Sequence, residues 1–147
     1  MTDVVDSATR SRMMSGIRGK DTKPEWLVRK GLHALGFRYR LHAKELPGRP
    51  DLVLPKYQVA IFVHGCFWHG HDCHLFKWPG TRQEFWRQKI EGNVARDARA
   101  TRALIGMGWR VATVWECGLR YQGGPEAAVQ QLSAWLASGG AEMEFRG

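Results

Sequence analysis

A run of five apolar residues, Val59-Ala60-Ile61-Phe62-Val63, constrains the fold of this chain more than any other feature. Such a continuous and largely β-branched run predicts a central strand that is buried on both faces. Segments with helical periodicity precede and follow this run, so helices are available to cover the sheet. The sequence therefore predicts an α/β domain with a mixed central sheet flanked by helices.

The other predicted elements follow from periodicity and from capping signals. Two capping boxes, Thr22 to Glu25 and Thr81 to Glu84, are predicted to open helices. In the second helix the apolar positions predicted to face the core are Trp86, Ile90, Val94, Ala98 and Leu104. The predicted order is a helix ending before residue 36, strands 37–41, 51–54 and 59–63, a helix 82–105, a strand 109–115, a loop 118–125 and a helix 126–137.

Length and charge indicate one domain with a basic surface. We expect a basic arm over residues 1–20, the domain proper over residues 21–140 and a tail over residues 141–147. The arm is either a frayed terminus or a segment that becomes ordered on a phosphate backbone. A net charge of +8 favours nucleic acid or another anionic surface over a merely soluble basic protein. No apolar run approaches the ~20 residues that cross a bilayer, and no signal peptide is recognisable, so we expect a cytoplasmic protein without membrane contact.

Three cysteines and clustered histidines predict a metal site. Cys66, His71 and Cys73 lie within eight residues, and Cys117 follows a distant strand. A closed set of three thiolates and one imidazole is typical of structural zinc. His69 and His74 compete with His71 for the fourth position. The alternative is three unrelated thiols.

An acidic residue and two further histidines suggest phosphodiester chemistry. Asp51 begins a predicted strand and could hold Mg²⁺, while His64 or His69 could activate water or protonate a leaving oxygen. The ordinary alternative for Asp51 is a turn residue, because an Asp after Pro is commonly found in turns. Glu25, another acidic residue, is explained by helix capping. Spacing also places Lys89, Asn93 and Asp97 on one helix face, and it favours a solvated face over a cleft.

Large aromatic residues surround the predicted metal site. Phe67 and Trp68 are adjacent, and Trp86 lies near the start of the following helix. Aromatic residues ordinarily belong to the core, but on a basic surface they can insert between base pairs and bend the duplex.

Four separated motifs carry a resemblance that spans about residues 8–120. They are GRPDLVL, IFVHGCFWHGHDC, TRQEFWRQKIEGNVARD and WRVATVWEC. In order and spacing they resemble the very-short-patch repair mismatch endonucleases. The resemblance implies a restriction-endonuclease-like fold with a structural zinc. It also implies Mg²⁺-dependent nicking of duplex DNA on the 5′ side of the T in a T·G mismatch, the product of 5-methylcytosine deamination.

The same resemblance implies roles for individual residues. Asp51 would bind Mg²⁺ together with the backbone carbonyl of Val63, a position where the family pattern has Thr. His69 would be the catalytic imidazole, as general base or water-positioning group, supported by His64, Glu25 and Asp97. Zinc would be held by Cys66, His71, Cys73 and Cys117. The residues expected at the DNA are Phe67, Trp68, Trp86, Met14, Lys89 and Asn93.

Two other functions stay open at this stage. One is a restriction-type nuclease that cuts both strands on the same scaffold. The other is a zinc-containing module that binds DNA without cutting it. For the mismatch nickase we expect a monomer acting on duplex DNA, with mismatch-repair proteins as a further class of partner; the flanking sequence and any companion methyltransferase are not specified.

Overall fold

A five-stranded mixed sheet forms the centre of the computed structural model, which describes residues 23–146. The strands are Arg40–Leu41 (β1), Leu52–Leu54 (β2), Val59–His64 (β3), Arg110–Trp115 (β4) and Glu142–Phe145 (β5), and they lie in this order across the sheet. The helices are Lys23–Ala34 (α1), Gln83–Gly106 (α2), Glu116–Tyr121 (α3) and Gly124–Ser138 (α4). β1, β2 and β3 pair antiparallel, whereas β3, β4 and β5 pair parallel. The predicted mixed sheet flanked by helices is confirmed.

Strand β3 is buried on both faces, as its apolar run predicts. Val59 and Ile61 pack in one cluster with Leu32 of α1 and Leu132 of α4. Residues 60 and 62 face the opposite way and pack with Leu104 of α2. Helices therefore cover both faces, and the carboxyl end of β3 is left to carry the site.

Three predicted segments differ from the structure. The strand expected over residues 37–41 is paired only at Arg40–Leu41, opposite Val53 and Leu52 of β2. Residues 118–125 were expected to form a loop, but α3 covers Glu116–Tyr121. The tail expected over residues 141–147 is wrong in its greater part, because Glu142–Phe145 pairs with the open edge of β4.

The start and the core face of α2 also correct the prediction. Arg82 precedes the helix in the left-handed conformation, with φ of +51°, and no side chain caps the helix, so the second capping box does not form. The guanidinium of Arg82 instead lies over the ring of Phe85, 4.4 Å from its centroid. Val94 is 44% exposed and position 98 is exposed, whereas Ile90, Ala100 and Leu104 are buried, so two of the five predicted core positions do not face the core.

The predicted basic arm, Met14 and the Thr22 end of the first capping box lie outside the described residues. Within residues 23–146, no helix combines the length and the apolar character that a membrane-spanning helix needs.

Candidate functional site

The four predicted zinc ligands come together at the carboxyl ends of β3 and β4. These strands are parallel, with His64 opposite Trp115, so the residues that follow them meet at one edge of the sheet. Nδ1 of His71 lies 3.5 Å from the sulfur of Cys66 and 3.5 Å from that of Cys117. Cys73 completes the set, and one donor atom from each of the four candidate ligands lies within 4.8 Å of the other three.

This donor set fits a tetrahedral metal. Zn–S bonds of about 2.3 Å require sulfurs that are about 4 Å apart, which agrees with the observed cluster. Burial raises the pKa of the Cys66 thiol, so the protein alone does not favour thiolates there. His71 also stacks on the ring of Trp115, with centroids 3.8 Å apart and planes within 5°. The competing His74 instead faces the ring of Tyr121.

Asp51 lies at the start of β2, beside the end of β3. Its Oδ2 accepts a hydrogen bond from the backbone N–H of Val63 at 2.7 Å. Burial raises the pKa of this carboxyl to about 6 from its ordinary 3.8, although the Val63 hydrogen bond and the His69 ring act in the opposite direction. A buried acid with a raised pKa is a group whose ionised form gains from a bound cation.

His69 is paired with Asp97. The distance from Nδ1 of His69 to Oδ2 of Asp97 is 2.6 Å, and both side chains are partly buried. The carboxylate accepts, so Nδ1 carries the hydrogen, and in the neutral form of the ring the lone pair is on Nε2. Asp97 therefore faces the site, and the sequence spacing that favoured a solvated face was misleading for this residue.

His64 stacks on His69, with ring centroids 3.7 Å apart and planes within 8°. Burial lowers the pKa of His64 well below its usual range, and the charges that His69 and His71 can carry lower it further. His64 is therefore a neutral imidazole at physiological pH. Its Nδ1 is buried and has no hydrogen-bond partner among residues 23–146.

Glu25 is almost fully buried, at 1% exposure, on α1. Its Oε2 lies 3.1 Å from Nε2 of His42 and 3.5 Å from Nη1 of Arg29. Glu25, His42 and Asp51 each offer a ligand atom within 4.8 Å of the other two. Glu25 thus lies beside Asp51 and His42, and its predicted capping role depends on Thr22, which lies outside the described residues. His42 was missed by sequence reasoning, because no spacing connects a loop residue to a helix that the fold brings beside it.

The predicted aromatic residues form one cluster. Ring centroids are 5.2 Å apart for Phe67 and Trp68, 5.5 Å for Phe67 and Trp86, and 5.8 Å for Trp68 and Trp86. All three rings are only half-buried, so the cluster is not core. Asn93 donates from Nδ2 to the carbonyl of Trp68 at 2.8 Å, which ties α2 to the loop, while Lys89 on the same helix is exposed.

The chain is similar in sequence to known DNA endonucleases. The sequence model of a family described as DNA mismatch endonuclease Vsr matches residues 2–75. The Type II nicking enzyme V.XorIIP of Xanthomonas oryzae is 48% identical over 132 residues, covering 90% of this chain and 97% of that protein. DNA mismatch endonuclease Vsr of Escherichia coli is 46% identical over 147 residues, covering 99% of this chain and 94% of that protein. The Type II nicking enzyme V.NmeAIP of Neisseria meningitidis is 46% identical over 120 residues, covering 82% and 86%.

Proposed function

The chain belongs to the Vsr family of DNA mismatch endonucleases and is a DNA nicking endonuclease of very-short-patch repair, and we propose that it hydrolyses the phosphodiester on the 5′ side of the T in a T·G mismatch. The observation that carries this proposal is the meeting of Asp51, a stacked pair of imidazoles and a half-buried aromatic cluster at one end of β3.

We propose that Mg²⁺ binds at Asp51, with Val63 and Glu25 beside it. In an extended strand the N–H and C=O of one residue point to the same side. Because the Val63 N–H donates to Asp51, the Val63 carbonyl is directed to the same edge, and a Val in place of Thr retains it. When bound, magnesium supplies positive charge that polarises the scissile phosphodiester. Glu25 adds negative charge that favours a cation at this position.

His69 is proposed as the general base. Asp97 holds the Nδ1–H of the ring, which leaves Nε2 as the acceptor for a proton from the attacking water. The same Asp–His arrangement fixes the imidazole tautomer in hydrolases of unrelated fold. His64 stays neutral and supports His69 through ring stacking.

We propose zinc as the metal of the Cys66, His71, Cys73 and Cys117 cluster. Four protein donors leave no open position, so this metal is structural rather than catalytic. It would hold the loop 65–82, which contains neither helix nor strand. That loop carries both His69 and the aromatic cluster.

We propose that the DNA-contacting surface recognises the mismatch because the duplex is easier to deform there. Insertion of the half-buried rings at a base step requires unstacking of the bases, and the free-energy cost of unstacking is lower at a mismatch than at a paired step. The net charge of +8 supports contact with the phosphate backbone. We assign to this surface Phe67, Trp68, Trp86, Lys89 and Asn93, together with Met14 of the arm.

The proposal extends to the setting of the enzyme. We propose that the mixed sheet is of the restriction-endonuclease type, that the protein acts as a monomer on duplex DNA in the cytoplasm, and that mismatch-repair proteins are its further partners. The antiparallel β2–β3 pair with an acid at its start, continued by the parallel strand β4, supports the first of these.

Duplexes labelled on either strand test the proposed function. We expect a single cut in the T-containing strand of a T·G duplex, only with Mg²⁺, and none after Asp51→Ala. Cutting of both strands of a fully paired site would instead support a restriction-type nuclease. Tight, salt-dependent binding without any cut would support a non-catalytic module. Equal cutting of the T·A and T·G duplexes would contradict the proposed specificity.

A further inference from the structure

Two acids of the site are connected by His42, a residue outside every motif. Nε2 of His42 lies 3.1 Å from Oε2 of Glu25. The backbone N–H of His42 donates to the carbonyl of Asp51 at 3.0 Å. His42 therefore contacts Glu25 through its side chain and Asp51 through its backbone.

The backbone of His42 adopts the left-handed conformation beside Asp51. Its φ is +51°, in the left-handed region that Gly adopts readily and that Asn, Asp and His enter more often than other residues. The pairing of Leu41 with Leu52 places His42 next to Asp51, so its hydrogen bond continues the β1–β2 ladder.

The contacts of Glu25 explain what the ring of His42 does. The Glu25 side chain is 1% exposed, and a buried carboxylate needs cationic or hydrogen-donating partners. Arg29 and His42 both approach its Oε2, from the same helix and from the β1–β2 loop respectively. Both approaches are within ion-pair distance, and the backbone N–H of His42 also donates to the carbonyl of Asp51.

We propose that His42 is a positioning residue that fixes the Glu25 carboxylate relative to Asp51. The proposal rests on the proposed nicking reaction at Asp51. His42 affects the reaction indirectly, through its contact with Glu25 and through its backbone hydrogen bond to Asp51. It is not itself a catalytic residue. Loss of its side chain should weaken the use of Mg²⁺ while leaving the DNA-contacting rings in place.

A matched pair of variants isolates the polar contact. Gln and Met have similar length, but only Gln can donate to a carboxylate. In single-turnover nicking of a T·G duplex, His42→Met should be slowed about 10–100-fold and need more Mg²⁺ for half-maximal rate, with duplex affinity unchanged. His42→Gln should recover most of the rate. His33→Ala, which removes an exposed imidazole in the last turn of α1, should match the wild-type protein.

The outcomes separate this inference from the function on which it rests. A His42→Met rate equal to wild type, or a His42→Gln rate as low as that of His42→Met, would overturn the positioning role. If His42→Met does not fold, His42→Gly replaces it, because Gly suits the left-handed backbone, and wild-type nicking by that variant overturns the role. Failure of the wild-type protein to nick T·G duplexes would overturn the proposed function itself.

Discussion

Replacing Asp51 by Asn should stabilise the protein while abolishing nicking. Asn keeps an oxygen that accepts the Val63 N–H, and it removes the buried charge. Burial raises the pKa of Asp51 from 3.8 to about 6, so ionising it in the fold costs about 3 kcal/mol, at 1.36 kcal/mol per pH unit. For a chain of this size the free energy corresponds to a rise in Tm of roughly 6–12 °C.

The sign of the pH dependence follows from proton binding. Because its pKa is higher in the folded state, Asp51 binds more proton there between about pH 4 and pH 6, so this acid lowers stability as pH rises through that window. Below about pH 4 the acid is protonated in both states and the two proteins should be equally stable. Above about pH 6 the Asn variant should keep its full advantage.

Thermal and urea unfolding at pH 4, 5, 6 and 8 measure this advantage. Zinc is kept bound and Mg²⁺ is left out. Added Mg²⁺ should then raise the stability of the wild-type protein, because a ligand that binds only the folded state stabilises it, and should leave Asp51→Asn unchanged. A variant that is no more stable than wild type at pH 8, or an advantage that is the same at every pH, would refute the reasoning.

Three further substitutions test the remaining parts of the site. Cys73→Ala should abolish stoichiometric zinc in atomic emission and lower the unfolding temperature, and retained zinc would contradict the assigned ligand set. Asp97→Asn should slow single-turnover nicking by about 10²–10⁴-fold without changing the fold, since a neutral amide can either accept from or donate to Nδ1 and so no longer fixes the His69 tautomer; an unchanged rate would exclude a base oriented in this way. Trp68→Ala should reduce duplex bending measured by fluorescence energy transfer, and full bending would remove Trp68 from the inserted set.

The sequence predicts those elements whose burial follows from the apolar or polar character of their own residues. Strand β3 is continuous, apolar and largely β-branched, so burial on both faces follows from composition alone. Glu142–Phe145 alternates polar and apolar residues as a strand does. A segment of four residues is nevertheless too short for this pattern to distinguish a strand from a tail. Its pairing depends on the open edge of β4, which only the folded sheet provides. The six-residue helix α3 is likewise too short for periodicity to be read.

The site shows the same division between local and distant information. The Cys66, His71, Cys73 and Cys117 cluster could be predicted, with His69 and His74 as rivals of His71, because three of its members lie within eight residues and Cys117 was the remaining thiol. The pairing of His69 with Asp97 joins residues 28 positions apart, and spacing along α2 pointed to solvent instead. Asp97 was recovered only by resemblance to a family, because the approach of loop 65–82 to α2 is a tertiary event.

The order Phe67, Trp68, His69 has a kinetic consequence. Two proposed inserting rings and the proposed base are consecutive residues on one loop, so a loop that is not seated in the duplex cannot present its imidazole correctly. Paired DNA can then be bound at the phosphate backbone and still be cut slowly. Selectivity for the mismatch is therefore expected to appear chiefly in kcat rather than in KM, as in enzymes whose correct substrate assembles the catalytic centre.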